Sequence, residues 1–305
     1  MEVSGKNKVV VTGGAGFIGS NLVEALLSLN YDVHVIDNLV AGKKENVPAK
    51  ATLHVADICN LAEIKPIFAG AKYVFHLAAL PRVQHSIDDP VATNEVNVTG
   101  TINVLLAARD AGVKKVVYSA SSAAYGDQTV MPLKENMLPN PKSPYGIQKL
   151  VGEYYCKFFS EAFSLPTVSL RYFNVYGPKL DPNGAYALVI GLFLRQRQEG
   201  KPMTITGDGL QTRDFTHVRD VARANILAAE SEKVGKGEVI NIGVGKNHSI
   251  KQLAELIGGP IEHVAPRIEP RDTLADNSLA RELIGWEPQE DFAKGISELK
   301  SIFQI

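Results

Sequence analysis

Thr12-Gly13-Gly14-Ala15-Gly16-Phe17-Ile18-Gly19 follows the apolar run Lys8–Thr12 directly and opens a stretch of helical period through Asn21–Ser28. A strand, a glycine-rich turn and a helix in that order are the setting that a dinucleotide-binding turn needs. Gly13 permits the tight turn, Gly16 lets backbone approach a pyrophosphate, and Gly19 allows the helix to pack close. The helix N-terminus then offers unpaired N–H groups and a partial positive charge to the phosphates. A plain strand-to-helix connection would use glycines too, so the second strand has to decide. Asp37 closes it, 18 residues after Gly19. A carboxylate there accepts hydrogen bonds from both ribose hydroxyls and repels a 2′-phosphate, which selects NAD over NADP. Lys43-Lys44 can meet a 2′-phosphate, although a solvated loop is the plainer reading. Asp57, after the third strand, either accepts from the adenine amino group or caps a helix.

Outward from this turn, short runs of Val, Ile, Leu and aromatics alternate with stretches of helical length and period. A parallel sheet covered on both faces reads this way. The candidate strands are Lys8–Thr12, Asp32–Ile36, Ala51–Ala56, Tyr73–Leu77, Lys115–Ser119 and Thr167–Arg171, which makes the fold α/β, a doubly wound parallel Rossmann sheet. After Gly177 the texture shifts to turn signals such as Gly207-Asp208-Gly209 and shorter elements. The expected division is a dinucleotide-binding domain over residues 1–177, with a segment of roughly 214–245 returning to it, and a smaller α/β substrate lobe over 178–305.

Composition narrows the class. The 305 residues are 45% hydrophobic and 21% charged with a formal net charge of −1, which argues against disorder and against nucleic acid as a partner. No apolar run approaches the ~18 residues of a membrane span, and the leader before Lys8 lacks a signal peptide's apolar stretch, so a cytoplasmic protein is expected. Cys59 and Cys156 have neither metal-ligand spacing nor a disulfide framework; no metal site is expected.

Pro144-Tyr145-Gly146-Ile147-Gln148-Lys149 carries the candidate chemistry. Tyr145 and Lys149, four apart, lie on one helix face one turn apart, with Ser143 as N-cap and Pro144 as first helical residue. A free tyrosine ionises near pH ~10, so acting as a base at neutrality takes about 4 kcal/mol of preference for tyrosinate. Lys149, the helix N-terminus and a positive nicotinamide ring can supply it. Alone, such a pair is a common packed or solvated helix pair. Tyr118-Ser119-Ala120-Ser121-Ser122-Ala123-Ala124-Tyr125-Gly126 adds hydroxyls at the end of the fifth strand, where sites sit in open α/β sheets.

With these segments, and with His76-Leu77-Ala78-Ala79, Asn97-Val98-Thr99-Gly100-Thr101 and Arg171-Tyr172-Phe173-Asn174-Val175-Tyr176-Gly177-Pro178, the chain resembles the extended short-chain dehydrogenase/reductase family from Lys8 to Trp286, in its nucleotide-sugar epimerase branch. The resemblance implies that Ser121 hydrogen-bonds the reacting sugar hydroxyl, Tyr145 takes its proton, and Lys149 holds the cofactor ribose and lowers the tyrosine pKa. The hydride from C4 goes to NAD, and a transient 4-keto sugar turns over before reduction. The cofactor set it implies is Gly13, Gly16, Phe17, Ile18, Gly19, Asp37, Asn38, Asp57, Ile58, Leu77, Ala78, Ala79, Asn97, Ser119, Tyr145, Lys149, Tyr172 and Val175. Related 4,6-dehydratases carry an Asp-Glu pair just after the catalytic Ser or Thr. Ser122 and Ala123 stand there instead, which disfavours dehydration.

A turning sugar must stay tethered by its UDP portion. By family motif, Asn174 and Arg213 contact the diphosphate and Ile205 lies near the base. A second phosphate ligand is Arg267 rather than Arg271, and Ser122 and Ala185 complete the substrate set. Thr273 occupies the gatekeeper position, where a bulky Tyr would restrict the pocket to unsubstituted sugars. The resemblance implies a UDP-hexose 4-epimerase, and threonine there leaves room for an acetamido group, so that UDP-GlcNAc/UDP-GalNAc are expected to be interconverted as well as UDP-glucose/UDP-galactose. Alternatives are a UDP-uronic acid 4-epimerase, another nucleotide-sugar dehydratase or reductase, or a non-enzymatic NAD(H) sensor. The long helices Pro90–Ala111 and Pro144–Phe163, the second with a stripe of Leu150, Tyr154, Phe158 and Phe159, either pack on the sheet or, as in relatives, form a homodimer interface.

Overall fold

The computed structural model describes residues 7–182, 189–265 and 271–305. Its central sheet contains β1 (Lys8–Thr12), β2 (Asp32–Asp37), β3 (Thr52–Val55), β4 (Tyr73–His76), β5 (Lys115–Ser121), β6 (Thr167–Tyr172) and a seventh strand, Lys236–Ile242. All pairings within it are parallel, in the spatial order Lys236–Ile242, β6, β5, β4, β1, β2, β3. Chain order reverses between β1 and β4, the switch point beside which ligands bind in such sheets.

Alternation along each strand explains why the apolar runs are nearly unbroken. Val9 and Val11 point into one core with Phe75, Val117 and Val168, while Val10 points into another with Ile36, Val74 and Val116. Helices Phe17–Ser28 and Val218–Glu230 cover the first face; Gly100–Asp110 and Pro144–Phe163 cover the second. Each such fully buried valine contributes about 1.5–3 kcal/mol.

The expected strand starts and ends hold to within a residue or two, β5 running on to Ser121. Pro144–Phe163 is one helix with the expected bounds. The other long helix is not uniform: Pro90–Asn94 passes through a π-helical turn, Glu95–Thr99, before Gly100–Asp110. Beyond β6 the strands outside the central sheet are short. Val175–Tyr176 pairs in parallel with Thr216–His217, Thr212–Arg213 pairs antiparallel with His248–Ser249, and Met203–Thr206 pairs in parallel with Ile261–Val264. Helices Val189–Gln198, Ile250–Ile257 and Phe292–Phe303 pack around these pairs.

Candidate active site

A cavity of about 500 Å³ opens at the carboxyl ends of β1 to β5. It is lined by Gly13, Gly16, Phe17, Ile18 and Gly19 from the first turn, Asp37 and Asn38 from β2, Asp57 and Ile58 after β3, Leu77, Ala78 and Ala79 after β4, and Ser119 from β5. The glycines are there for space. A Cβ on Gly19 would stand 2.1 Å from the Gly13 carbonyl oxygen, and one on Gly13 would stand 2.7 Å from the Ala78 nitrogen. Gly16 is the helix N-cap and no side chain caps that end, so backbone donors face the cavity floor. Asp37 accepts from Ala15 N at 3.0 Å and Leu39 N at 2.9 Å. Each oxygen keeps a second lone pair for a ribose hydroxyl. The residues present therefore fit an NAD: room for backbone at the diphosphate and a carboxylate at the ribose.

Behind the β4 loop, His76 is buried between two hydroxyls, Nδ1 at 2.7 Å from Thr12 Oγ1 and Nε2 at 2.9 Å from Thr101 Oγ1. Thr101 donates its proton to Asn97 O, so Nε2 carries the ring hydrogen; Thr12 then donates to Nδ1 and accepts from Ala78 N. Burial, with Lys149 nearby, drives His76 down to about 3 and keeps it neutral. This chain of bonds fixes Ala78 at the cavity wall.

The candidate acid–base residues meet where the helix Pro144–Phe163 abuts the end of β5. Ser143 caps that helix, accepting from Gly146 N at 3.1 Å, with Pro144 next, as the sequence implies. A Cβ on Gly146 would lie 2.8 Å from the Ala123 carbonyl oxygen, so the first turn, with Tyr145, touches the segment that Ser121 begins. Ser121 Oγ accepts from Ala123 N at 3.1 Å. Lys149 is buried; its Nζ donates to Ser119 O at 2.7 Å, and burial draws its pKa down to about 8. Tyr145 is 7% exposed, and its backbone N–H donates to Ser86 Oγ at 3.0 Å. Ser119 lines the cavity, whereas Ser121, Tyr145 and Lys149 are not among its lining residues. A buried tyrosine one helical turn before a buried lysine, next to the serine-rich end of β5, is equipped to exchange a proton with a substrate hydroxyl.

Residues 9–243 match the model of the NAD dependent epimerase/dehydratase family. This chain belongs to that family. The enzyme is 39% identical to a putative UDP-glucose 4-epimerase of Methanocaldococcus jannaschii over 95% of its own length and 96% of the relative's. A UDP-N-acetylglucosamine 4-epimerase from Methanobrevibacter ruminantium M1, solved in complex with UDP-N-acetylmuramic acid, superposes with TM-score 0.92 at 39% identity, covering 98% of this chain and 99% of that one. A UDP-glucuronic acid 4-epimerase from Bacillus cereus, solved with UDP-glucuronic acid and NAD, gives TM-score 0.88 at 33% identity, with 97% and 99% covered.

Several expected ligands of this epimerase/dehydratase occupy other places. Asn97 stands outside the cavity: its Oδ1 accepts from Leu80 N and its Nδ2 donates to Gln148 Oε1, while Leu80 and Val96 line the wall instead. Tyr172 donates its hydroxyl to Asn225 and Val175 is buried, so neither lines the cavity. Asp57 is not a helix N-cap; Asn60 is, and Asp57 accepts from Cys59 N and from Asn38 Nδ2. Lys43 is not merely solvated: it lines the cavity and pairs with Asp181 at 3.2 Å.

On the substrate side, Asn174 Nδ2 donates to Asp214 O at 3.1 Å and Thr273 Oγ1 at 3.2 Å, so both amide hydrogens have partners within the protein. Thr273 thus touches the residue expected at the diphosphate. Arg213 Nη1 donates to the carbonyls of Thr212 and Arg271, while Arg271 pairs with Asp208. Ile205 is fully buried. Ser122 is half-buried in the turn after β5. Ala185 and Arg267 lie outside the described residues. Reading the sequence alone misses Lys179, Leu180, Asp181 and Pro182, which also line the cavity. Lys179 ties this strap to Glu24, and Asn21 ties it to Pro178 O. The sequence signal was faint: Asn21 and Glu24, polar residues on the helix that opens the dinucleotide motif.

Proposed function

We propose that this enzyme is a UDP-hexose 4-epimerase that interconverts UDP-GlcNAc with UDP-GalNAc and UDP-glucose with UDP-galactose through a transient 4-keto sugar. The reaction type rests on one observation: Tyr145 is buried in the first turn of its helix, that turn packs through Gly146 against Ala123 in the segment begun by Ser121, and Lys149 follows one turn further on. Tyr145 takes the proton of the 4-hydroxyl while Ser121 holds that hydroxyl in place. Lys149 favours the tyrosinate, and the Tyr145 phenol gives its proton back to the oxygen when the carbonyl is reduced. Bound NAD supplies the hydride acceptor and donor. Gly13, Gly16, Gly19 and Asp37 would hold it, and the residues after Gly177 would hold most of the nucleotide sugar.

The N-acetyl activity rests on Thr273, a half-buried small residue where a tyrosine would close the pocket. Purified protein should be incubated without added cofactor with UDP-GlcNAc, UDP-glucose and UDP-glucuronic acid separately, and the products resolved by chromatography. Conversion of the first two to their galacto counterparts is expected, with Thr273→Tyr losing only the N-acetyl conversion. Turnover of UDP-glucose alone refutes the Thr273 argument. Turnover of UDP-glucuronic acid alone moves the assignment to a uronate epimerase, and a keto or reduced product formed only with added NAD(P)(H) moves it to a dehydratase or reductase.

A homodimer is part of the same reading. Tyr154 and Phe158 are 60% and 52% exposed along the helix Pro144–Phe163, whereas Phe159 is in the core. Light scattering at micromolar concentration should give twice the mass of 33.0 kDa. A monomer mass would exclude it.

A further inference from the structure

Glu153 and Arg171 form a bidentate ion pair almost sealed from solvent. Nε lies 2.8 Å from Oε1 and Nη2 2.7 Å from Oε2, with each side chain 3% exposed. Burying two charges is expensive, and apolar residues of the same volume are often at least as stabilising. Cohesion alone is therefore a poor reason for the pair, and its position suggests a better one. Tyr145, Lys149 and Glu153 are spaced by four along the helix Pro144–Phe163, so they share one face at successive turns. Arg171 grips Glu153 from β6. Its guanidinium lies 4.4 Å from the centre of the Tyr125 ring, whose hydroxyl donates to Asn241.

The groups around the Lys149 ammonium come from three elements. Its own helix contributes Cys156 and Glu153, with Tyr145 one turn before it; β5 contributes the Ser119 carbonyl at 2.7 Å and the Tyr118 ring at 5.0 Å; β4 contributes His76. Burial pushes the Cys156 thiol up to about 12 and His76 down to about 3, so neither is charged near neutrality. Glu153 is the carboxylate of this set.

We propose that Glu153 is a positioning residue for Lys149: its carboxylate, kept ionised by Arg171, holds Lys149 as a buried ammonium facing Tyr145 and the Ser119 carbonyl. Burial brings Lys149 to about 8, close enough to neutrality that losing one neighbouring negative charge leaves about half of it uncharged at pH 7. Arg171 acts through Glu153. Burial raises that carboxyl, and the hydrogen bonds and charge of Arg171 oppose the rise. Without Arg171 most of that opposition is lost, and the carboxyl is pushed toward its neutral form, which has no field at Lys149.

The inference rests on Lys149 working as an ammonium beside Tyr145, and it can be tested without turnover. The NAD-loaded protein is labelled with 13C at lysine Cε, the Lys149 signal is assigned by its loss in Lys149→Met, and its titration is followed by NMR. Glu153→Gln and Arg171→Met should each lower the midpoint by about one pH unit, and Glu153→Asp should leave it near that of the parent. If a single variant does not fold, the uncharged double variant Glu153→Gln/Arg171→Met replaces it, and its midpoint should fall too. An unmoved midpoint in Glu153→Gln or in the double variant overturns the inference. In turnover, the alkaline limb of kcat should move down with the midpoint while KM holds. A titration shift in a protein that epimerises no UDP-sugar upholds this role and refutes the substrate reading.

Discussion

Gly13 and Gly70 have the same backbone φ of 72°, and only one of them has neighbours. A Cβ on Gly70 meets nothing within 4 Å, so Gly70→Ala incurs the left-handed backbone cost alone, about 1–2 kcal/mol. On Gly13 the same atom would stand 2.7 Å from Ala78 N, 2.8 Å from Ala78 Cα and 2.9 Å from Leu77 C. Those are backbone atoms that cannot rotate aside, and carbon contacts are optimal at roughly 3.5–4.0 Å. The loop after β4 must therefore retreat by about 1 Å, at an overpacking cost of about 1–3 kcal/mol beyond the backbone term. That loop lines the dinucleotide cavity. Gly13→Ala should thus unfold in urea at lower free energy than Gly70→Ala by about 1–3 kcal/mol and bind NAD at least about tenfold more weakly, while Gly70→Ala binds it normally. Urea titrations of nucleotide-free protein and calorimetric NAD binding measure both quantities. Equal stabilities with unchanged NAD affinity in Gly13→Ala would refute the steric account of the turn.

Tyr145→Phe keeps the buried ring and removes the phenol, so turnover should fall by about 10²–10⁴ with urea stability nearly unchanged; a loss of less than tenfold would remove Tyr145 from proton transfer. His76 is depressed from 6.5 to about 3, so as pH falls below the unfolded value the unfolded chain binds a proton that the folded one refuses. Stability should decline by about 1.4 kcal/mol per pH unit between roughly pH 6 and pH 4, and His76→Gln should flatten that slope in urea titrations. Ser86→Ala strands the buried Tyr145 N–H at a cost of about 1–3 kcal/mol. Its kcat should drop more than its KM changes, and unaltered kinetics would make Ser86 a bystander.

The strands were legible because burial on both faces writes itself as runs such as Val9-Val10-Val11. The seventh was fainter. Lys236–Ile242 begins Lys-Gly-Glu, carries a register irregularity between Lys236 and Glu238, and lies at a sheet edge where less of it must be apolar. Tyr145 and Lys149 were legible because helical spacing is local. Ser86, Glu153 with Arg171, and the strap at Lys179 were not, since each meets its partner only through the folded sheet. Asn97 and Tyr172 have protein partners that spacing does not show for a related reason: a polar side chain inside a ligand-binding motif can also bond to a distant part of the fold.

The π-helical turn Glu95–Thr99 marks one residue more than an α-helix would hold. Wound as regular α-helix with the same number of residues, this stretch would turn everything upstream by about 100° about the axis. Thr93, which accepts from Gln148, and Ser86 behind it would swing off the helix of Tyr145. The width of this one turn therefore acts as a phase setting between the wall of the cofactor cavity and the helix of Tyr145.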